Sequence, residues 1–220
     1  MQTTAKILLI ACMLAFSTIG WSQVIADFSA NVISGCSPLT TQFQDKSTGS
    51  NLRYLWTFGN GNVSTKQNPQ AIYYQPGKYP VSLEVTDSTG KKDIKTYTNY
   101  ITVFKNPVAN FSATPLSGCA PLSVTFSDKT TLGDTSIGAY LWDFGDGNTT
   151  ISSSPNHTYQ IDGKFNISLL VVDKNGCQDK IDIKNYIEVD RKPEIDFSAD
   201  RLSNCEAPFT VNFSDLSKKT

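Results

Sequence analysis

An internal repeat constrains this chain more than any other feature. Ala26-Asp27-Phe28-Ser29-Ala30 returns as Ala109-Asn110-Phe111-Ser112-Ala113 and again as Ile195-Asp196-Phe197-Ser198-Ala199. Ser34-Gly35-Cys36-Ser37-Pro38-Leu39 returns as Ser117-Gly118-Cys119-Ala120-Pro121-Leu122, and loosely as Ser203-Asn204-Cys205-Glu206-Ala207-Pro208. Trp56-Thr57-Phe58-Gly59-Asn60-Gly61 matches Trp142-Asp143-Phe144-Gly145-Asp146-Gly147, and Asn99-Tyr100-Ile101-Thr102-Val103 matches Asn185-Tyr186-Ile187-Glu188-Val189. A repeat of this length makes the fold a question about one unit of some 84 residues, used more than once. The order of the blocks predicts two complete modules, 24–105 and 108–191, and the start of a third over 194–220.

Lys105-Asn106-Pro107 and Arg191-Lys192-Pro193 mark the joins. Proline fixes φ and cannot donate to a strand ladder, so each join ends one module and stiffens the next, restricting swing between them. The third unit stops before a Trp-Asp-Phe block. Half a sandwich cannot bury its inward face, so 194–220 is expected to be poorly ordered alone, in a chain that is the front of a longer protein.

Each unit reads as all-β. Tyr79, Val81, Leu83 and Val85 alternate with Pro80, Ser82, Glu84 and Thr86, the period-two pattern of a half-buried strand, and Phe165, Ile167, Leu169 and Val171 repeat it. Trp56 and Phe58, like Trp142 and Phe144, stand two apart and share one face, which the reading assigns to the core rather than to sugar stacking. After the N-terminal segment no stretch sustains a 3.6-residue apolar period. About seven short strands per unit, punctuated by Gly, Pro and Asn, predict tandem immunoglobulin-like β-sandwiches.

Trp142-Asp143-Phe144-Gly145-Asp146-Gly147, followed by Pro155-Asn156-His157-Thr158-Tyr159, Gly163-Lys164-Phe165 and Val171-Val172-Asp173, resembles a polycystic-kidney-disease (PKD) domain. The first unit is similar but degraded, with Thr57 and Asn60 in the signature block, then Pro69, Tyr73 and Gly77-Lys78-Tyr79. The Gly-Cys-x-Pro-Leu opening further resembles the tandem PKD surface proteins exported by Bacteroidetes-type bacteria. The resemblance implies a β-sandwich, an extracellular setting and a non-catalytic role in adhesion, spacing or substrate contact.

The N-terminus reads as an address. Lys6 precedes the apolar run Ile7 to Phe16, too short to span a bilayer, and small residues follow at Gly20 and Ser22. This predicts a signal peptide over 1–22 with cleavage after Ser22, and otherwise no transmembrane segment. The second reading is lipidation at Cys12 within Leu9-Ile10-Ala11-Cys12. With 20 acids against 19 bases, the chain has no electrostatic reason to bind nucleic acid or an anionic membrane.

Asp143 and Asp146 invite a catalytic reading, since paired carboxylates can divide acid and base work. Thr57 and Asn60 at the same places in the first unit argue against it: a catalytic acid does not survive as Thr. A turn, in contrast, exchanges Asp-Gly for Asn-Gly, and both dipeptides suit a type I′ hairpin. The reading therefore gives Trp56, Phe58, Gly59, Asn60, Gly61, Trp142, Asp143, Phe144, Gly145, Asp146 and Gly147 structural roles, with no catalytic residue, no enzyme activity and no metal site. Calcium on Asp143, Asp146 and Asp173 is the one cofactor left open, although no ligand series has loop spacing. His157 is the only histidine, stands where the first unit has Ala71, and reads as a surface or rim residue. Tyr54, Tyr73, Tyr74, Tyr97 and Tyr140 are candidates for contact surfaces.

Four cysteines remain after the signal segment: Cys36, Cys119, Cys177 and Cys205. Cys119 opens the second unit and Cys177 lies late in it, where the first unit has Lys91. A Cys119–Cys177 disulfide is expected, worth about 4 kcal/mol by chain entropy. It leaves Cys36 unpaired within its own unit and puts the partner of Cys205 past Thr220. The function expected is non-catalytic adhesion, display or spacing at the bacterial exterior, through an extracellular protein or glycan. The alternative is the accessory front of a secreted glycan- or protein-degrading enzyme.

Overall fold

The structure is a computed structural model that describes residues 23–203 and 207–218. The signal segment, with Cys12 and Ser22, and Cys205 lie outside the described residues. Every regular element among those described is a strand. The first module carries β1 (Phe28–Ala30), β2 (Ser34–Cys36), β3 (Leu39–Asp45), β4 (Arg53–Thr57), β5 (Val63–Ser64), β6 (Gln70–Tyr73), β7 (Gly77–Thr86) and β8 (Lys92–Phe104). The second carries β9 (Phe111–Thr114), β10 (Ser117–Cys119), β11 (Leu122–Asp128), β12 (Ile137–Asp143), β13 (Thr149–Thr150), β14 (Asn156–Tyr159), β15 (Gly163–Asp173) and β16 (Gln178–Asp190).

In the first module a three-stranded sheet, β1-β3-β6, faces a five-stranded sheet, β2-β8-β7-β4-β5. The second repeats this with β9-β11-β14 and β10-β16-β15-β12-β13. The chain is therefore a tandem of immunoglobulin-like β-sandwiches. Alternation sets which side of each strand turns inward: Val81, Leu83 and Val85 of β7 are buried, as are Ile167, Leu169 and Val171 of β15. Each module closes its own apolar cluster, around Trp56, Phe43 and Leu83 in one and Trp142, Phe126 and Leu169 in the other.

The long strands β8 and β16 bend at one place. Opposite β7 the register moves from Val81↔Tyr97 to Tyr79↔Ile101, and opposite β15 from Ile167↔Ile183 to Phe165↔Ile187. Asn99 and Asn185 take up the extra residues in left-handed conformation, φ 53° and 51°. Asparagine tolerates that region far better than a branched side chain. The Asn-Tyr-Ile repeat thus marks a bulge as well as a closing strand.

Beyond the second module, β17 (Phe197–Ala199) and β18 (Phe213–Asp215) pair antiparallel. Phe197 faces Asp215 as Phe28 faces Asp45 and Phe111 faces Asp128. The difference is burial: Phe197 is 65% exposed, whereas Phe28 and Phe111 are 3% and 5%. Among the described residues no second sheet covers β17 and β18.

Candidate functional site: the junction between the modules

The junction is built from two local motifs. The first is the hairpin between β15 and β16. The N–H of Gly176, at φ 84°, donates to the Asp173 carbonyl (3.0 Å), and the Asp173 N–H donates to the Cys177 carbonyl (2.8 Å). This is a type I turn closed by a left-handed glycine, the usual three-residue hairpin solution. The Asp173 carboxylate accepts from the N–H groups of Asn175 (2.9 Å) and Cys177 (2.8 Å), which fixes the backbone from which Cys177 projects. Asp87 does the same in the first module, accepting from Thr89 and from the Lys91 N–H. The Thr89 hydroxyl bond, opposed by burial and helped by the backbone bonds, holds the Asp87 carboxyl below its usual range.

The second motif is the Ser-Gly-Cys strand. β2 lies parallel to the end of β8, with Cys36 opposite Phe104, and the Ser37 N–H donates to the Phe104 carbonyl (3.1 Å). A Cβ on Gly35 would stand 2.8 Å from Leu39 Cδ1, and one on Gly118 2.7 Å from Leu122 Cδ1. The glycine lets the leucine of the same motif lie over the strand. Cys36 is thereby delivered to the C-terminal end of its module.

There it bonds to Cys177 of the next module, with Cα atoms 5.4 Å apart at a sequence separation of 141. Around this link the Asn106 Nδ2 donates to the Ser37 carbonyl (2.7 Å), and the Lys105 N–H donates to Asp134 Oδ2 (2.8 Å). A Cβ on Gly133 would lie 2.1 Å from the Lys105 carbonyl oxygen, so the loop of the second module touches the connecting segment directly. A cleft of about 620 Å³ remains beside the contact, lined in part by Pro76, Phe104, Asp134 and Asn175.

The expected Cys119–Cys177 pairing is therefore corrected. β10 pairs with the last residues of β16, placing Cys119 opposite Asp190, whereas Cys177 precedes the first residue of that 13-residue strand. At about 3.3 Å per residue the two cysteines sit on the order of 40 Å apart, at opposite ends of the sandwich. Cys119 is exposed and has no disulfide partner among the described residues.

The Trp-Asp-Phe-Gly-Asp-Gly block is placed at the turn after β12. Trp142 and Phe144 are buried, as are Trp56 and Phe58, and each indole N–H reaches a carbonyl, Ser152 or Lys66, at 2.9 Å. Only the glycines take positive φ: Gly59 74°, Gly61 89°, Gly145 78° and Gly147 92°. Asn60 and Asp146 do not, so the expected type I′ turn is corrected to a wider turn. The Phe144 N–H closes it onto the Asn148 carbonyl (3.1 Å), and Phe58 onto Asn62 (3.2 Å). Asp143 accepts from the Gly145 N–H (2.9 Å).

Asp146 accepts from the Asn148 N–H and Nδ2, both at 3.1 Å, and pairs with His157 Nε2 at 2.7 Å. His157 is half-buried at the edge of the core, its ring stacked on Phe144 at 4.2 Å and meeting the edge of Tyr159 at 4.7 Å. Burial pushes the Asp146 carboxyl up, but the bonds from His157 and Asn148 outweigh it and hold the group below its usual range. Both oxygens of this carboxylate accept hydrogen bonds from its own turn or from β14. It cannot share calcium with Asp173: Asp143 faces Ser168 while Asp173 faces Ile137, six residues away along β12. Among the described residues no group of three or more His, Cys, Asp or Glu is arranged to hold a metal.

The tyrosine candidates separate. Tyr73 is fully buried on the inward side of β6, so its place among contact residues is corrected by the alternation of that strand. Burial, with a smaller contribution from Tyr79, raises its phenol far above the usual range. Tyr54 and Tyr97 are half-buried against the first core, and Tyr140 donates to Asp128 Oδ2 (3.0 Å). Tyr74 alone of the five is largely exposed, at 67%. It borders a surface groove of about 510 Å³ whose lining includes Phe58, Val63, Lys66, Ala71 and Ile72. The groove lies where His157 covers Phe144 in the second module. Ala71 is too small to cover Phe58 in the same way.

No helix among the described residues is long and apolar enough to cross a membrane. Among relatives, collagenase ColQ1 of Bacillus cereus strain Q1 is 36% identical over 77 residues, 34% of this chain. Pre-pro-metalloprotease PrtV of Vibrio cholerae is 39% identical over 61 residues, 28% of this chain. The chain spans only 8% and 7% of the length of those two relatives. The PKD1 domain of V. cholerae PrtV aligns with 33% identity and a TM-score of 0.34, over 39% of this chain and 98% of that domain. The PKD1 domain of Vibrio anguillarum Epp aligns at 29% identity and TM-score 0.35, over 40% of this chain and 99% of that domain. The profile of the PKD domain matches residues 23–103 and 104–189, which together make up most of the sequence, and the chain belongs to the PKD domain family.

Proposed function

We propose that this chain is a non-catalytic, exported PKD array that spaces or displays its neighbours at the cell exterior through protein or glycan contacts. The observation that carries the reading is the Cys36–Cys177 bond between modules, supported by the Asn106 and Lys105 hydrogen bonds. A covalent tie between two separately cored modules fixes their spacing, which is of use to a scaffold and of none to a hydrolytic centre. It also belongs in an oxidising compartment, in keeping with export. The acidic residues of the signature block are occupied in holding turns.

A second reading is favoured by the names of the relatives: an accessory region of a secreted protein-degrading enzyme, which holds the enzyme on its substrate. Retention of the chain on insoluble collagen and on glycan arrays, together with peptidase and glycosidase assays, separates the readings. The spacer reading expects no turnover and no retention on collagen. Saturable retention on collagen would favour the accessory reading. Turnover lost on Asp146→Asn would contradict both.

A further inference from the structure

We propose that the seam of the first module beside Tyr74 is a glycan-binding groove, at a place that the second module has closed. The seam runs between β5, at the edge of the five-stranded sheet, and β6, at the edge of the three-stranded one. In the second module His157 of β14 fills the matching place, stacked on Phe144 and paired to Asp146 at 2.7 Å. The buried Tyr159 hydroxyl donates to the Phe144 carbonyl beside it (3.1 Å). In the first module Ala71 stands for His157 and Asn60 for Asp146, and the buried Tyr73 hydroxyl has no partner among the described residues. This exchange leaves a groove of about 510 Å³, within the range of about 300–1,000 Å³ usual for small-ligand sites.

The lining identifies the ligand class. Tyr74 borders the groove and is largely exposed, where the second module has Gln160. An exposed phenol ring offers an apolar face to the C–H face of a sugar and a hydroxyl at its tip. Asn62, Ser64 and Gln70 also line the groove, and the side chains of Asn62 and Gln70 bond to no other described residue. An amide donates and accepts at once, which suits neighbouring hydroxyls of a sugar. A smaller hollow of about 170 Å³ shares Asn62, Ile72 and Tyr74 and extends to Gln75 and Tyr79. Tyr74 therefore borders two adjoining spaces, as a chain of sugars requires.

A peptide or a polyanion fits less well. A peptide strand would add to β6 through its backbone groups, but the Ile72 carbonyl of that strand is already taken by Asn60 Nδ2 (3.1 Å). Lys66 is the only charged side chain among the described residues lining either space, enough for one acidic sugar and too little for a nucleic acid. The site deepens the display reading and rests on it for a ligand outside the cell.

The test screens the full chain on a printed array of neutral and uronic-acid oligosaccharides and measures each hit by calorimetry. Saturable binding is expected, weakened about tenfold by Tyr74→Ala, whose side chain the core does not use. Ala71→His combined with Asn60→Asp carries the second module's closure into the first and is expected to abolish binding. Melting temperatures report whether each variant has folded, and should the double variant melt early, Tyr74→Ala decides alone. No hit on the array overturns the proposal, as does binding that Tyr74→Ala leaves at full strength. Both outcomes leave the spacer reading standing, since it rests on the Cys36–Cys177 link, which peptide mapping tests separately. Retention on collagen that Tyr74→Ala removes, with no hit on the array, overturns the glycan in favour of a protein ligand.

Discussion

Asp146 is held between opposing influences, burial that favours its neutral form and hydrogen bonds from His157 and Asn148 that favour the charged one. The bonds win, so the folded pKa lies below the unfolded value. The sign then follows by linkage: the group contributes stability above about pH 4, the ordinary aspartate value, and that contribution is lost as pH falls through the lower folded pKa. Asp146→Asn is expected to lower the stability of the second module by about 1 kcal/mol near neutral pH and to flatten its decline in acid. Thermal melts of both proteins from neutral to acid pH check this. The mild cost is expected because Asn60 already holds the corresponding turn, accepting from the Asn62 N–H and donating to the Ile72 carbonyl. The structural character of Asp146 was legible from that exchange between copies. The His157 contact was not, because Ala71 leaves no matching residue to compare and ring stacking across strands has no sequence period.

At the scale of the element, the signature turn depends on two glycines with different surroundings. A Cβ on Gly145 would lie 2.4 Å from the Asn166 carbonyl oxygen, at a φ of 78°. A Cβ on Gly147, at 92°, meets nothing within 4 Å. Gly145→Ala is expected to destabilise by about 3 kcal/mol, from strain and a backbone clash, and Gly147→Ala by about 1 kcal/mol, from conformation alone. Denaturant midpoints of the two variants test the order; equal losses would contradict the close approach of the turn to β15. The alternation of β7 and β15 was readable directly, since an inward position needs only an apolar residue every second place. Turn type was not: Asp-Gly suits a type I′ hairpin and also the wider turn observed, and only the backbone angles of Asp146 distinguish them.

For the whole molecule the decisive fact is which end of a strand a cysteine occupies. The repeat places Cys36 and Cys119 in equivalent positions, but a three-residue edge strand running parallel to its neighbour leaves no pattern in the sequence. Pairing within one module was therefore the natural expectation, and the direction of β10 along β16 excludes it. Each module buries its own core, so the Cys36–Cys177 link acts on the hinge between them more than on either core. Closing a 141-residue loop is worth about 5 kcal/mol by chain entropy in a single cooperative unit, an upper figure where the units fold separately. Cys36→Ser is accordingly expected to leave both modules folded while broadening the distribution of inter-module distances in small-angle scattering. An unchanged distribution would mean that the Asn106 and Asp134 contacts hold the junction without the disulfide.

The central claim is that adjacent modules are covalently tied, and peptide mapping of the oxidised chain without reduction tests it most directly. A single cross-linked species joining the Cys36 and Cys177 peptides is predicted. A Cys119–Cys177 species, or Cys36 recovered fully alkylated, would contradict the account.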